Sequence, residues 1–417
     1  MSEWKSLSSI TSKIGSGSTP RGGNSVYSDS GISFIRSQNV LDMDFSTENL
    51  AFINDNQAEK LNNVIVEKND ILLNITGDSI ARCTVVPEEI LPARVNQHVS
   101  IIRCKNTEES KYVMYYLQYM KKYLLQISKV GGTRNALTKE AIGKLPIKIS
   151  DDCNKISKIL DNIDQKIQTN NQINQELEAM AKTLYDYWFV QFDFPDQNGK
   201  PYKSSGGKMV YHPELKREIP EGWGVEKIEN IAQTGSGGTP KSTNVSYYSN
   251  GEIPWINSGE LEQMVITSTS NFITEEGLNN SSAKLFPSGT ILVAMYGATA
   301  GKVSFLTFEA STNQAICAIM LTDIRMRYYL KNVIEDLYQY LVKLSTGSAR
   351  DNLSQDMIKN IKVVIPSNDI LDRFYDFSNN IIKEITKKQQ ENEQLTQLRD
   401  WLLPMLMNGQ VKVEKRK

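Results

Sequence analysis

Arginine, asparagine, glutamine, serine and threonine side chains gather in short polar segments that occur twice along the chain. In the first half these are Ser18, Thr19 and Arg21, then Arg36, Gln38 and Asn39, then Thr76, Asp78 and Arg82, then Arg134 and Asn135. In the second half Thr239 and Lys241, Asn257 and Ser258, Tyr296 and Lys302, and Arg350 stand at matching places. Such side chains suit the paired donors and acceptors of base edges, and the cations suit phosphate oxygens. Any one of them alone would pass for an ordinary surface residue. As a duplicated set they are candidate DNA contacts.

Other chemistry is missing. No Gly-Lys-Ser/Thr closes a glycine loop of the Walker type. Gly15-Ser16-Gly17 and Gly235-Ser236-Gly237 look like phosphate cradles, yet neither is expected to follow an apolar strand and open a helix. The two histidines, His98 and His212, lie in different halves with no cysteine or carboxylate at metal spacing, so each is expected to be a surface or hydrogen-bonding residue. Glu88-Glu89 and Glu275-Glu276 read as solvated turns, and the Asn/Asp-Pro-Pro-aromatic tetrapeptide of adenine and cytosine methyltransferases does not occur. The chain is expected to catalyse nothing and to hold no metal or cofactor of its own.

The polar segments are positioned by a repeat. Gly15-Ser16-Gly17-Ser18-Thr19-Pro20 returns as Gly235-Ser236-Gly237-Gly238-Thr239-Pro240, Asn96-Gln97 as Asn313-Gln314, and Ile71-Leu72-Leu73 as Ile291-Leu292-Val293. An offset of roughly 220 residues is too long for a solenoid unit and means two homologous domains. Each begins with strand-length apolar runs: 32–35, 63–66, 70–73 and 99–102 in the first, and 253–256, 291–294 and 315–319 in the second. A helical stretch follows, Tyr112 to Ile127 and Tyr328 to Leu344. With no regular βαβ alternation, the class is α+β.

A long helix then closes each repeat. Ile156, Ile159, Ile163, Ile173, Leu177, Met180, Leu184 and Tyr187 occupy a and d of one heptad register, and Phe374, Phe377, Ile381, Leu395, Leu398, Leu402 and Met405 do so in the second helix. The registers superimpose under the repeat offset, which favours an antiparallel coiled coil over two helices packed separately on their own domains. Asn170 and Lys388 fall at equivalent a positions near mid-helix and are expected to lie close together. The predicted layout is a first domain over 1–150, a long helix over 151–190, a connector over 191–222, a second domain over 223–367, a second long helix over 368–408 and a tail over 409–417. The domains are expected in a pseudo-twofold arrangement.

Composition limits the partners. A 40% apolar and 23% charged chain of 417 residues can build two cores. Its N-terminus lacks the form of a secretory signal, no run approaches a membrane span, and the four cysteines are scattered, so a cytoplasmic protein is expected. A net charge of −1 gives no basic excess, so part of any DNA contact has to come from a partner protein. Near-neutral charge also leaves open a scaffold or adaptor whose duplicated domains bind protein or glycan.

Over almost its whole length the chain resembles the specificity subunits of type I restriction–modification systems. The family's Gly-x-Thr-Pro loop is similar to Gly17-Ser18-Thr19-Pro20 and Gly237-Gly238-Thr239-Pro240, and its Gly-Asp-Ile-Leu strand to Asn69-Asp70-Ile71-Leu72 and Gly289-Thr290-Ile291-Leu292. Asn96-Gln97, Asn313-Gln314 and the connector from Phe192-Asp193-Phe194-Pro195 to Ile219-Pro220-Glu221-Gly222-Trp223 complete the likeness, the connector being its most specific part. The family's Pro-Pro-x-x-Glu-Gln before each helix is replaced by Ile149-Ser150-Asp151-Asp152 and Ile365-Pro366-Ser367-Asn368, which leaves the helix starts open. The resemblance implies a non-catalytic subunit whose two target-recognition domains each read half of a bipartite, asymmetric site in double-stranded DNA. It implies two modification subunits carrying S-adenosylmethionine and two restriction subunits using ATP and magnesium.

Overall fold

The computed structural model describes residues 3–20, 22, 26–129, 135–296, 299–345, 353–411 and 413, with the side chains of all but 339–345. Arg21, Arg134 and Arg350 therefore lie outside the described residues. The chain divides into two compact units, Met1–Gln168 with Glu393–Lys417, and Thr169–Asn392. The division is not linear, because the last part of the second long helix packs with the first domain.

In the first unit the strands Thr11–Ser16, Val99–Cys104, Ile71–Asn74 and Cys83–Val85 lie side by side in that order, all antiparallel. Both faces of this sheet are covered. Ile71, Leu73 and Ile102 point into a core with Tyr112, Tyr115, Leu117 and the long helices, while Leu72 and Ile101 point into a second core around Phe34, Ile35 and Val95. Two-sided burial explains why these strands read as continuous apolar runs rather than alternating ones. The second core is backed by a mixed sheet of Tyr27–Ser28, Ala51–Ile53, Ile32–Ile35, Ala93–Val95 and Ile65–Val66.

The second unit repeats the plan. Ala232–Ser236, Ile316–Leu321, Ile291–Ala294, Val303–Leu306 and Val265–Ile266 form the central sheet, with Ile291, Val293, Cys317 and Ile319 facing the helix side and Leu292, Ala294, Ile316 and Ala318 the other. The connector holds the hairpin Met209–His212 with Arg217–Pro220. Its aromatics stack in series: Phe194 lies 4.7 Å from Tyr202 and 4.9 Å from Trp223, centroid to centroid. These are residues of the connector stretch that carried the family likeness most specifically.

The long helices run Cys153–Tyr185 and Asn368–Asn408. Within the first unit Arg399 donates to Asp164 at 2.9 Å, and Ile156 and Leu160 share a core with Leu403, Leu406 and Met407. Within the second, Asn170 donates to Glu391 and Asn392, both at 2.9 Å, and the Trp188 ring lies 6.1 Å from Phe374. Rising numbers on one helix meet falling numbers on the other, so the pairing in each unit is antiparallel.

The seam differs from the expected one. At the a positions Ile156, Ile163, Asn170, Phe374 and Ile381 are buried, and Leu177, Leu184, Lys388, Leu395 and Leu402 half-buried. The d positions are more open, with Ile159, Ile173 and Met405 half-buried. Met180, Phe377, Leu398 and Tyr187 are exposed, and the e positions Leu160, Ala181, Ser378, Ile385 and Leu406 are buried in their place. Each helix must cover its partner helix and a domain core at once, and at 3.6 residues per turn the a and e stripe faces both. Leu160 joins the core of Tyr112 and Tyr115, and Ile385 that of Phe305 and Tyr328. The same shift moves the partner of Asn170 to Glu391 and Asn392, one turn beyond Lys388.

Candidate nucleic-acid interface

The candidate segments of the first domain meet at one end of its central sheet, where Ser16 pairs with Ser100 and Val99 with Asn74. Gly17 enters its loop against the turn at 95–97. A Cβ on it would stand 2.1 Å from the Val95 carbonyl oxygen, so only glycine fits. The Ser18 amide donates to Val95 O at 3.1 Å, and the Thr19 hydroxyl donates to the Gln97 side-chain oxygen. Gln97 in turn donates to His98 Nε2 at 3.0 Å, which makes that nitrogen an acceptor. In the neutral ring the proton then sits on Nδ1 and is given to the Thr76 hydroxyl, 2.5 Å away. This chain joins three loops through Gln97 and His98, neither of which the sequence had placed among the candidate contacts.

The remaining segments are tied to the same end. Asn74 donates to the carbonyls of Ser37 and Val40 at 2.8 and 3.2 Å, Asn96 N donates to Ile35 O, and Thr76 bridges to Ala136 beside exposed Asn135. Asn39 is fully buried and holds its own loop, accepting from Arg36 N and donating to Ser46 O and Glu48 O. The Arg36 guanidinium donates to Asn49 O at 2.6 Å. Thr19, Gln38, Asp78 and Asn135 are exposed, while Ser18, Arg36, Thr76 and Arg82 are half-buried. Exposed and half-buried members can reach a ligand; Asn39 acts by shaping the loop.

The second domain is built the same way with changed side chains. Gly237 would place a Cβ 1.9 Å from Thr312 O, and Thr239 donates to the Gln314 side-chain oxygen. Glu260 takes the place of Asn39, accepting from Asn257 N, Asn271 and Thr269. The Thr299 hydroxyl donates to Ser258 O at 2.7 Å, and Leu353 N donates to Met295 O as Leu137 N does to Ile75 O. Lys241 and Lys302 are exposed, and Asn257, Ser258 and Tyr296 half-buried. Substituting Gly17 or Gly237 by Ala should force each loop off its Asn-Gln turn. We expect about 1–3 kcal/mol of destabilisation for each in chemical denaturation; an unchanged midpoint would mean that the turns yield freely.

Two domains that present the same loop cluster with different side chains form a recognition device with two separate specificities. The sequence model of the type I restriction modification DNA specificity domain matches residues 1–179 and again 220–397. The chain belongs to this family. It is the specificity subunit of a type I restriction–modification system, with two target-recognition domains and a recognition role rather than a catalytic one. The chain is 27% identical to the MjaIX specificity subunit of Methanocaldococcus jannaschii over 78% of its own length and 74% of that protein. It is equally identical to the HindI specificity subunit of Haemophilus influenzae over 67% and 72%. The fold matches that of the S subunit from M. genitalium with a TM-score of 0.59 at 13% identity, covering 99% and 97% of the two chains. The α+β class with long helices is that of this family. No helix among the described residues is long and apolar enough to cross a membrane.

Proposed function

We propose that each loop cluster reads one half of a bipartite, asymmetric site in double-stranded DNA and that partner subunits methylate adenine or cleave accordingly. The observation that carries this reading is the convergence, in both domains, of the Gly-x-Thr-Pro loop, the Asn-Gln turn and the polar loops at one end of the central sheet. The contacting side chains would be Ser18, Thr19, Arg21, Arg36, Gln38, Thr76, Asp78, Arg82, Arg134 and Asn135 in one half. In the other they would be Thr239, Lys241, Asn257, Ser258, Tyr296, Lys302 and Arg350.

The complex we propose holds two modification subunits, with S-adenosylmethionine, and two restriction subunits, with ATP and magnesium, and works in the cytoplasm. Two copies of one partner need two similar docking faces. The outward d positions supply them: Ile159 with exposed Leu398 in the first unit, Phe377 with Met180 in the second. Methylome sequencing of a host with and without this gene is the test. One bipartite methylated motif should vanish on deletion; an unchanged methylome would refute the reading.

A further inference from the structure

A cleft of about 300 Å³ opens in the second unit between the far end of the central sheet and the second long helix. Arg327, Lys383 and Lys387 line it, and among the described residues no carboxylate does. Lys383, Lys387 and Gln390 follow one another along one helix face. The Arg327 guanidinium is held rather than free: it lies over the Tyr328 ring at 4.7 Å and donates to Tyr328 Oη at 2.9 Å and Asn379 Oδ1 at 3.2 Å. Both acceptors are neutral, and the buried Nε has no partner. Three cations around one cleft is a local excess in a chain whose net charge is −1.

The first repeat shows what belongs there. Tyr112 and Tyr329 correspond, since each donates its hydroxyl to the strand that precedes its long helix, to Lys148 O and Val364 O. One residue earlier stand Lys111 and Tyr328; under the helix offset, Asp161 corresponds to Asn379. Lys111 and Asp161 close an ion pair at 2.6 Å within the first unit. In the second, Tyr328 and Asn379 have replaced that pair, and Arg327 brings a cation to the same place without its acid.

We propose that this cleft receives a carboxylate side chain from the modification subunit, supplying in trans the acid that Asp161 supplies in the first repeat. A forked guanidinium fixed beside a ring by neutral acceptors suits a carboxylate. DNA phosphate fits less well. The strand Ile291–Ala294 separates the cleft from the loop that begins at Tyr296, and four strand residues span about 13 Å. The proposal rests on the functional reading above, and it makes the two halves unequal: one has an open receptor for an acid, the other a closed pair.

The test is binding of the purified modification subunit to the full-length chain, read by calorimetry alongside thermal unfolding of the chain alone. Arg327→Gln should weaken binding roughly ten- to a hundredfold. Asn379→Asp should weaken it comparably while leaving the melting temperature unchanged or higher, because it closes the cleft from within. A merely structural Arg327 would not give that opposition. If both variants bind as the wild type does, the proposal is overturned and the functional reading stands. If Arg327→Gln instead weakens salt-dependent binding of the isolated chain to duplex DNA and spares the modification subunit, the cleft takes phosphate and the proposal is overturned. If the wild-type chain binds no modification subunit, the functional reading fails first.

Discussion

Arg399→Met should destabilise the chain by about 3–5 kcal/mol at pH 7, because it leaves the Asp164 carboxylate buried without its counter-ion. Asp164 and Arg399 expose only 11% and 14% of their side chains, so solvent screens the pair little. Tyr115 donates to the other carboxylate oxygen at 2.5 Å. Burial still outweighs both partners and holds the Asp164 carboxyl above its ordinary value. The raised acid fixes the sign of the pH dependence. The folded state binds a proton that the unfolded state has already lost, so this group's contribution is whole below the ordinary carboxylate range and is lost as pH rises through the raised value. Removing Arg399 raises that value further. The deficit of Arg399→Met should therefore shrink between pH 7 and pH 5 in urea titrations, and the double variant Asp164→Leu/Arg399→Met should recover most of it. A deficit that is flat with pH would mean that lost packing, not the stranded carboxylate, causes the destabilisation.

That pair also marks where the sequence misleads. Asp164 and Arg399 fall at b and e, outside the a and d positions that a heptad reading assigns to the seam, whereas both contribute to it. The a positions were legible because any helix pair buries them. The choice between d and e was not, since it depends on the domain core that leans on each helix, and Leu160 and Ile385 meet that core only after the chain has folded. Exposed Met180 and Phe377 misled for the complementary reason: apolar d residues look like a seam when they belong to an outer face. Strands fared better. Ile71-Leu72-Leu73 and Ile291-Leu292-Val293 are apolar without alternation because both faces of their sheets are buried, and such runs between turn formers stand out in any context.

At the candidate interface the residue types were legible, but their division of labour was not. Asn39 has the chemistry of a base reader and is fully buried, whereas His98, expected as a surface or hydrogen-bonding residue, does form hydrogen bonds and by them joins Gln97 to Thr76. One signal could have found this. The Gly-x-Thr-Pro loop and the Asn-Gln pair recur together in both repeats, and the structure gives the cause: the threonine of one donates to the glutamine of the other. Co-repetition of two distant motifs is what a contact between them produces. Their role is to hold loops whose intervening residues differ, which lets two domains of one fold read different sequences.

Replacing Met1 to Pro146 with the first domain of another family member should therefore change one half of the methylated motif and leave the other half intact. Each wrong base pair costs about 1–3 kcal/mol, so three unmatched positions should lower modification of the original site roughly a hundredfold or more. The exchange has a structural condition. Leu403, Leu406 and Met407 of the second long helix lie in the same core as Tyr112, Leu117 and Leu145, so the donor must present apolar residues there. A graft that meets this condition keeps its seat on the helix, while the separate second core, built in the parent by Phe34, Ile35 and Val95, arrives whole with the donor domain and carries its loops. Thermal unfolding of the graft should match that of the parent, and methylome sequencing should return a hybrid motif. A folded graft that alters both halves would show that the two domains do not read independently, and the duplicated loop clusters would then have to act as one composite site.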